Sequence, residues 1–338
     1  MTDAVLVVGP SWVGDMVMAQ ALCKLLVGQT PEEPVDILAP GWSLPIIRRM
    51  PEVRAGIEFP IGHGELGLAR RLRLGRALRG RYTRAIVLPR SFKAALVPYF
   101  ARIAQRTGYL GEMRFGIIND RRESGEIPAR KTAVRFARLG LPPGSRLPPL
   151  PSPRLEVDPA NQARLVESLE LDGPGPVVAL LPGAEFGPAK CWPLEHFNAL
   201  ASRLASSGCR IWILGSERDR LAGERIVGGA LEATRNLCGR TRLEDAVDLL
   251  GMVQAAVSND SGLMHVAAAV GTHVVALYGS STPEYTPPLT ERRTIRFRGI
   301  ECSPCFERVC PLQHFQCLRG ISPGEVLADV RRVLGLAG

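Results

Sequence analysis

Short apolar runs punctuate the chain, each closed by glycine, proline or small polar residues. In the first half they cover residues 4–8, 35–39 and 84–88, ending at Gly9, Pro40-Gly41 and Pro89. Runs this brief, rich in Val, Ile and Leu and without alternation, predict strands buried on both faces of a parallel sheet. Between them, 16–26 and 92–104 carry helical periodicity. The second half repeats the grammar. Residues 176–181, 209–214, 255–258 and 274–278 predict strands. They close on Pro182-Gly183, Gly215-Ser216-Glu217, Asn259-Asp260-Ser261-Gly262 and Gly279-Ser280-Ser281. Strands alternating with helices predict the α/β class, here as two Rossmann-like domains in tandem.

Residues 142–153 hold six prolines and form the clearest linker. A helix over 159–171 leads into the second half, and 321–336 predicts a closing helix. The expected organisation is a first domain over 1–160, a second over 161–320 and a terminal helix over 321–338. Ligands of open α/β sheets bind beyond the carboxyl ends of the strands, so two facing domains predict one interdomain cleft.

At 338 residues, 46% hydrophobic and 22% charged, the chain is ordinary globular material. It lacks the roughly 20-residue apolar run of a membrane span. The N-terminus enters a strand without a basic, cleavable leader, which predicts a cytoplasmic protein. The net charge of +9 lies wholly in residues 1–170, which hold 25 Lys+Arg against 16 Asp+Glu; residues 171–338 hold 17 of each. A basic half predicts a polyanionic partner: nucleic acid, anionic lipid or a phosphorylated substrate. With 6% aromatics and no known reading module, nucleic acid fits poorly.

Gly9-x4-Gly14 lacks the closely spaced glycines of a dinucleotide fingerprint, which argues against NAD. Asp15, opening the helix after the first strand, reads either as a first-turn acid complementing the helix dipole or as a general base in a cleft. Lys190 is the only lysine of the second half and ends a long loop beginning Pro182-Gly183. It suits a phosphate, or else is a solvated loop lysine. Asp260, Ser261 and Gly262 open a helix, where they cap it, help hold an anion, or both. His265 in that helix is a satisfied histidine or a phosphate or hydroxyl contact. Glu217, at a strand end, suits ribose hydroxyls or is a loop acid beside Arg218 and Arg220. Arg90, Lys93, Arg106 and Arg114 concentrate cations in the basic half. They hold an anionic acceptor or form a solvated face. Cys302-x2-Cys305-x4-Cys310-x6-Cys317 is left open between a structural metal, reduced thiols and a disulfide. The second spacing is wide for a zinc knuckle.

Three segments together resemble the lipopolysaccharide heptosyltransferases of glycosyltransferase family 9: Gly9-Pro10-Ser11-Trp12-Val13-Gly14-Asp15, Pro182-Gly183-Ala184-Glu185-Phe186-Gly187-Pro188-Ala189-Lys190, and Asn259-Asp260-Ser261-Gly262-Leu263-Met264-His265. Pro60-Ile61-Gly62-His63-Gly64, the stretch from Arg90 to Pro98 and Tyr278-Gly279-Ser280-Ser281 extend the likeness to about residue 289. The resemblance implies a GT-B fold whose terminal helix packs back on the first domain. It implies inverting transfer of heptose from ADP-L-glycero-β-D-manno-heptose to the first heptose of the lipopolysaccharide inner core. By the same resemblance Asp15 is the base and Lys190 neutralises the leaving diphosphate. Gly183, Glu217, Asp260, Ser261, Gly262 and His265 hold the donor, and His63 joins Arg90, Lys93, Arg106 and Arg114 on the acceptor side. No cofactor is implied for the chemistry. The anionic acceptor and the basic half imply peripheral attachment to the cytoplasmic face of the inner membrane. A different core acceptor, or a non-enzymatic polyanion-binding module, are the alternatives.

Overall fold

The computed structural model describes residues 4–59, 65–123, 131–228 and 232–336. The chain divides into two compact units, Met1–Pro153 and Arg154–Gly338. The boundary falls a few residues before the expected one. Leu155 is already buried in unit 2, where its N–H donates to the Ala269 carbonyl at 3.0 Å.

Unit 1 contains β1 (Val5–Val8), β2 (Val35–Ala39), β3 (Val53–Glu58), β4 (Arg84–Val87), β5 (Gln105–Tyr109) and β6 (Asp120–Arg122). All pair in parallel in the order β3-β2-β1-β4-β5-β6. β1 and β2 are buried throughout, as unbroken apolar runs require. The helix Val13–Gln29 follows β1. Its apolar residues surround it rather than forming a stripe, and it is buried on nearly every side over its first four turns.

Unit 2 contains β7 (Val177–Leu181), β8 (Arg210–Ile213), β9 (Thr234–Asn236), β10 (Ala255–Asn259), β11 (His273–Tyr278) and β12 (Arg293–Phe297). Their order, β12-β11-β10-β7-β8-β9, is that of unit 1 read from the opposite edge. Both units are therefore doubly wound sheets of one topology, each with a switch point: between β1 and β4, and between β7 and β10.

The core of unit 2 gathers Val178, Leu180, Trp192, Phe197 and Leu200 with Val326, Leu327 and Val330 of the closing helix Pro323–Leu334. That helix is fixed at its start by a capping box between Ser322 and Glu325. The Trp192 indole N–H donates to the Ile321 carbonyl at 2.9 Å. The apolar face of the terminal helix is thus part of the core of unit 2.

Candidate functional site

In unit 2, β7 and β10 lie side by side, and the loops leaving their carboxyl ends carry Lys190 and Asp260. Lys190 Nζ stands 2.5 Å from Asp260 Oδ2. The same oxygen accepts from the Ser281 hydroxyl at 2.6 Å, and Oδ1 accepts from the Thr286 hydroxyl at 3.3 Å. Asp260 is almost wholly buried and Lys190 largely so. A buried carboxylate with three donors is well satisfied, and it fixes where the lysine points.

The surrounding backbone is held as firmly. The Asn259 side chain donates to the Pro182 carbonyl at 2.6 Å, and its oxygen accepts from Trp192 N–H at 2.9 Å. One amide thereby bolts the end of β10 to both ends of the Lys190 loop. Gly183 is required for a steric reason: a Cβ there would lie 2.7 Å from the Asp219 carboxylate. That carboxylate accepts from Ser216 N–H and Oγ–H, each at 2.8 Å, shaping the turn after β8. Glu217 on this turn is exposed, pairs with Arg220 at 2.9 Å and lies against Gly239.

The helix Gly262–Ala269 starts directly after Asp260-Ser261. No side-chain cap bonds its first N–H groups. Asp260 is committed to Lys190, Ser281 and Thr286, and the Ser261 hydroxyl lies 3.4 Å from that of Ser258. The positive end of the helix therefore remains available to an anion. His265, one turn along, is buried. Burial pushes its pKa down to about 4, with Asp260 opposing the shift and Lys190 reinforcing it, so the imidazole is neutral at pH 7. Of the residues expected to hold a donor, the structure brings Lys190, Asp260, Ser261, Gly262 and His265 into one cluster; Gly183 and Glu217 line the neighbouring loops. Of the two hydroxyls that anchor Asp260, Ser281 lies in a strand-end segment that the sequence marked without a role, and Thr286 has no sequence signature of its own.

In unit 1, Asp15 lies in the first turn of Val13–Gln29, half-buried, at the carboxyl end of β1. Arg90 and Lys93 follow β4, the other strand of the switch point, with Arg90 exposed. Trp12 and Trp42 are exposed, the Trp42 indole donating to the Ser11 carbonyl at 2.9 Å. His63 lies outside the described residues, as does the rest of segment 60–64.

Of the expected acceptor contacts, Arg114 is corrected and Arg106 has backbone partners of its own. Arg114 is fully buried, its guanidinium enclosed by the carbonyls of Tyr109, Pro89 (2.8 Å) and Ser91 (3.2 Å). Arg106 likewise donates to the carbonyls of Ile117, Ile103 and Gly116. Both spend guanidinium donors on loop backbone; Arg114 is enclosed by it, whereas Arg106 is half-buried and lies over the Tyr99 ring. Burial, with Arg90 nearby, lowers the Arg114 pKa to about 10, leaving it charged at pH 7.

In the cysteine cluster the structure shows no disulfide among the described residues. Cys302, Cys305, Cys310 and Cys317 are all free. Among the described residues no three His, Cys, Asp or Glu side chains form a set able to hold a metal ion. Cys310 and Cys317 are buried, the latter packing beneath Gly279, and Cys302 Sγ lies 4.0 Å from His314 Nε2. No described helix is long and apolar enough to cross a membrane.

Comparison with known proteins agrees with this geometry. The profile of Glycosyltransferase family 9 (heptosyltransferase) matches residues 71–316. Lipopolysaccharide heptosyltransferase 2 of Salmonella typhimurium is 45% identical over 350 residues, covering 99% of each chain. Lipooligosaccharide heptosyltransferase 2 of Haemophilus influenzae is 44% identical over 303 residues, 86% of this chain and 87% of its own. Among solved structures, Escherichia coli ADP-heptose lipopolysaccharide heptosyltransferase II matches with a TM-score of 0.84 at 38% identity, over 98% of both chains. With two doubly wound units and these relatives, the chain belongs to glycosyltransferase family 9 and is a glycosyltransferase of the GT-B fold.

Proposed function

We propose that the protein transfers L-glycero-D-manno-heptose from ADP-heptose to the first heptose of the lipopolysaccharide inner core, with inversion in a single displacement. The observation that carries this reading is the Lys190–Asp260 pair at the switch point of unit 2, beside an uncapped helix start. A nucleoside diphosphate leaving group gathers negative charge as its bond to the sugar breaks. A lysine aimed by a buried carboxylate, together with a helix dipole, supplies positive charge at that place. The reading therefore assigns no cofactor to the chemistry. On this reading Glu217 accepts from the ribose hydroxyls.

In the reaction, an acceptor hydroxyl oxygen attacks the anomeric carbon. Its proton passes to the Asp15 carboxylate, and the anomeric C–O bond to the β-phosphate breaks with its electron pair leaving on the diphosphate. The acceptor is a phosphorylated, carboxylated glycolipid, to which Arg90 and Lys93 offer charge. Two features of unit 1 support peripheral attachment to the cytoplasmic face of the inner membrane: its basic excess, and the exposure of Met113 (84%) and Phe115 (62%) on the loop after β5.

The test is mass spectrometry of a reaction with ADP-heptose and mono-heptosylated Kdo-lipid A. A single heptose increment, lost in Asp15→Ala, is expected. No increment with ADP nonetheless bound would keep the donor site and move the acceptor to another glycan.

A further inference from the structure

The loop that carries Lys190 is braced by a segment far away in sequence, the connection between β12 and the closing helix. Ala189 N–H donates to the Arg308 carbonyl at 3.1 Å. Gly187, at φ +152°, permits the approach, since a Cβ there would lie 2.5 Å from that same oxygen. The connection is also tied to the turn that holds Asp260. Phe306 N–H donates to the Ser280 carbonyl and Ser303 Oγ–H to the Gly279 carbonyl, each at 2.6 Å. Arg308 is thus delivered to the Lys190 loop by backbone bonds on two sides.

Its side chain lies over the Phe186 ring, with the guanidinium carbon 5.3 Å from the centroid. Lys190 Nζ lies 5.0 Å from the centroid of the same ring. The two cations differ in their partners. Lys190 is paired with Asp260, which offsets part of the charge it brings to a ligand. The Arg308 guanidinium has no carboxylate partner among the described residues, and Glu185 of the Lys190 loop is paired with Arg218. A departing diphosphate needs net positive charge, and a lysine partly offset by an aspartate supplies only some of it.

We propose that Arg308 is a second cation for the diphosphate of the donor, held beside Lys190 by the shared Phe186 ring. This rests on the donor-site reading above. Guanidinium geometry suits it, because a planar fork can donate twice to phosphate oxygens while stacked on an aromatic face.

The experiment is calorimetric titration of the full chain with ADP and with AMP, for wild type, Arg308→Gln and Arg308→Lys. Arg308→Gln is expected to weaken ADP about tenfold and AMP much less, and Arg308→Lys to recover most of the loss. Unchanged ADP affinity in Arg308→Gln, with wild type binding ADP, overturns the role of Arg308 and leaves the donor site standing. A wild type that does not bind ADP overturns the donor-site reading itself. Equal losses in both variants with a lowered melting temperature would assign Arg308 to loop structure and overturn the proposal. The brace to Ala189 uses the backbone carbonyl, so neither substitution removes it.

Discussion

Lys190 and Asp260 are seventy positions apart in sequence and 2.5 Å apart in space, joined because β7 and β10 are neighbours at the switch point of their sheet. Removing Asp260 both frees the lysine and leaves the Ser281 and Thr286 hydroxyls without their acceptor. Lys190→Ala and Asp260→Ala are each expected to lower turnover on the order of a hundredfold or more. Because the residues act as one unit, the double variant is expected to lose little beyond the worse single variant. A double-mutant cycle on kcat/KM measures this; fully additive losses would assign the two residues independent roles.

Asp15 lies in unit 1, whereas the proposed donor cluster is built entirely from unit 2. Base and donor site are therefore separable by mutation. Asp15→Ala is expected to cut transfer roughly a hundred- to ten-thousandfold while ADP affinity stays at the wild-type value. Turnover near wild type in a steady-state assay would remove Asp15 as the base. A weakened ADP titration would instead assign it to the donor.

How far the sequence reached depends on burial. β1, β2, β7, β10 and β11 are covered on both faces, so each shows as an apolar run. β3 and β12 lie at sheet edges, and the exposed pattern of Val53–Glu58 leaves no periodic signal to read. β6 is Asp-Arg-Arg, a strand whose Asp120 accepts from Thr107 of β5 at 2.8 Å, a cross-strand bond invisible to local pattern. The site followed the same rule. Asp15, Lys190 and Asp260 stand at strand ends that local composition marks. Ser281 and Thr286 reach Asp260 only because β10 and β11 run in register, with Asn259 opposite Leu277. Counting charges could not distinguish Arg90, which is exposed, from Arg114, whose charge is enclosed by carbonyls.

His265 gives the site a dependence on pH. In the unfolded chain its imidazole takes up a proton near the ordinary value of 6.5; in the folded chain burial delays this to about 4. Between these values the unfolded state binds more protons, so stability is full above pH 6.5 and falls as the pH drops toward 4. The loss is on the order of 3 kcal/mol. Denaturant unfolding at a series of pH values should show that decline, and His265→Asn should flatten it. A variant whose acid limb matches wild type over this window would mean that other groups set the decline.

The loop after β5 makes a separate prediction about the membrane. Arg114 rivets this loop from within, its guanidinium bonded to three backbone carbonyls, while its neighbours Met113 and Phe115 face solvent. A loop so fixed would enter an apolar phase without paying to order itself first. Burying a methionine or phenylalanine side chain is worth about 1.5–3 kcal/mol. Met113→Asp with Phe115→Asp is therefore expected to lower partitioning onto phosphatidylglycerol vesicles roughly tenfold or more. Wild-type binding should also weaken with added salt and be poor on phosphatidylcholine vesicles, because the basic residues of unit 1 attract the anionic headgroups. Co-sedimentation of wild type and the double variant reads both effects. Equal partitioning of the two proteins would assign membrane attachment to charge alone and leave the exposed pair to another partner.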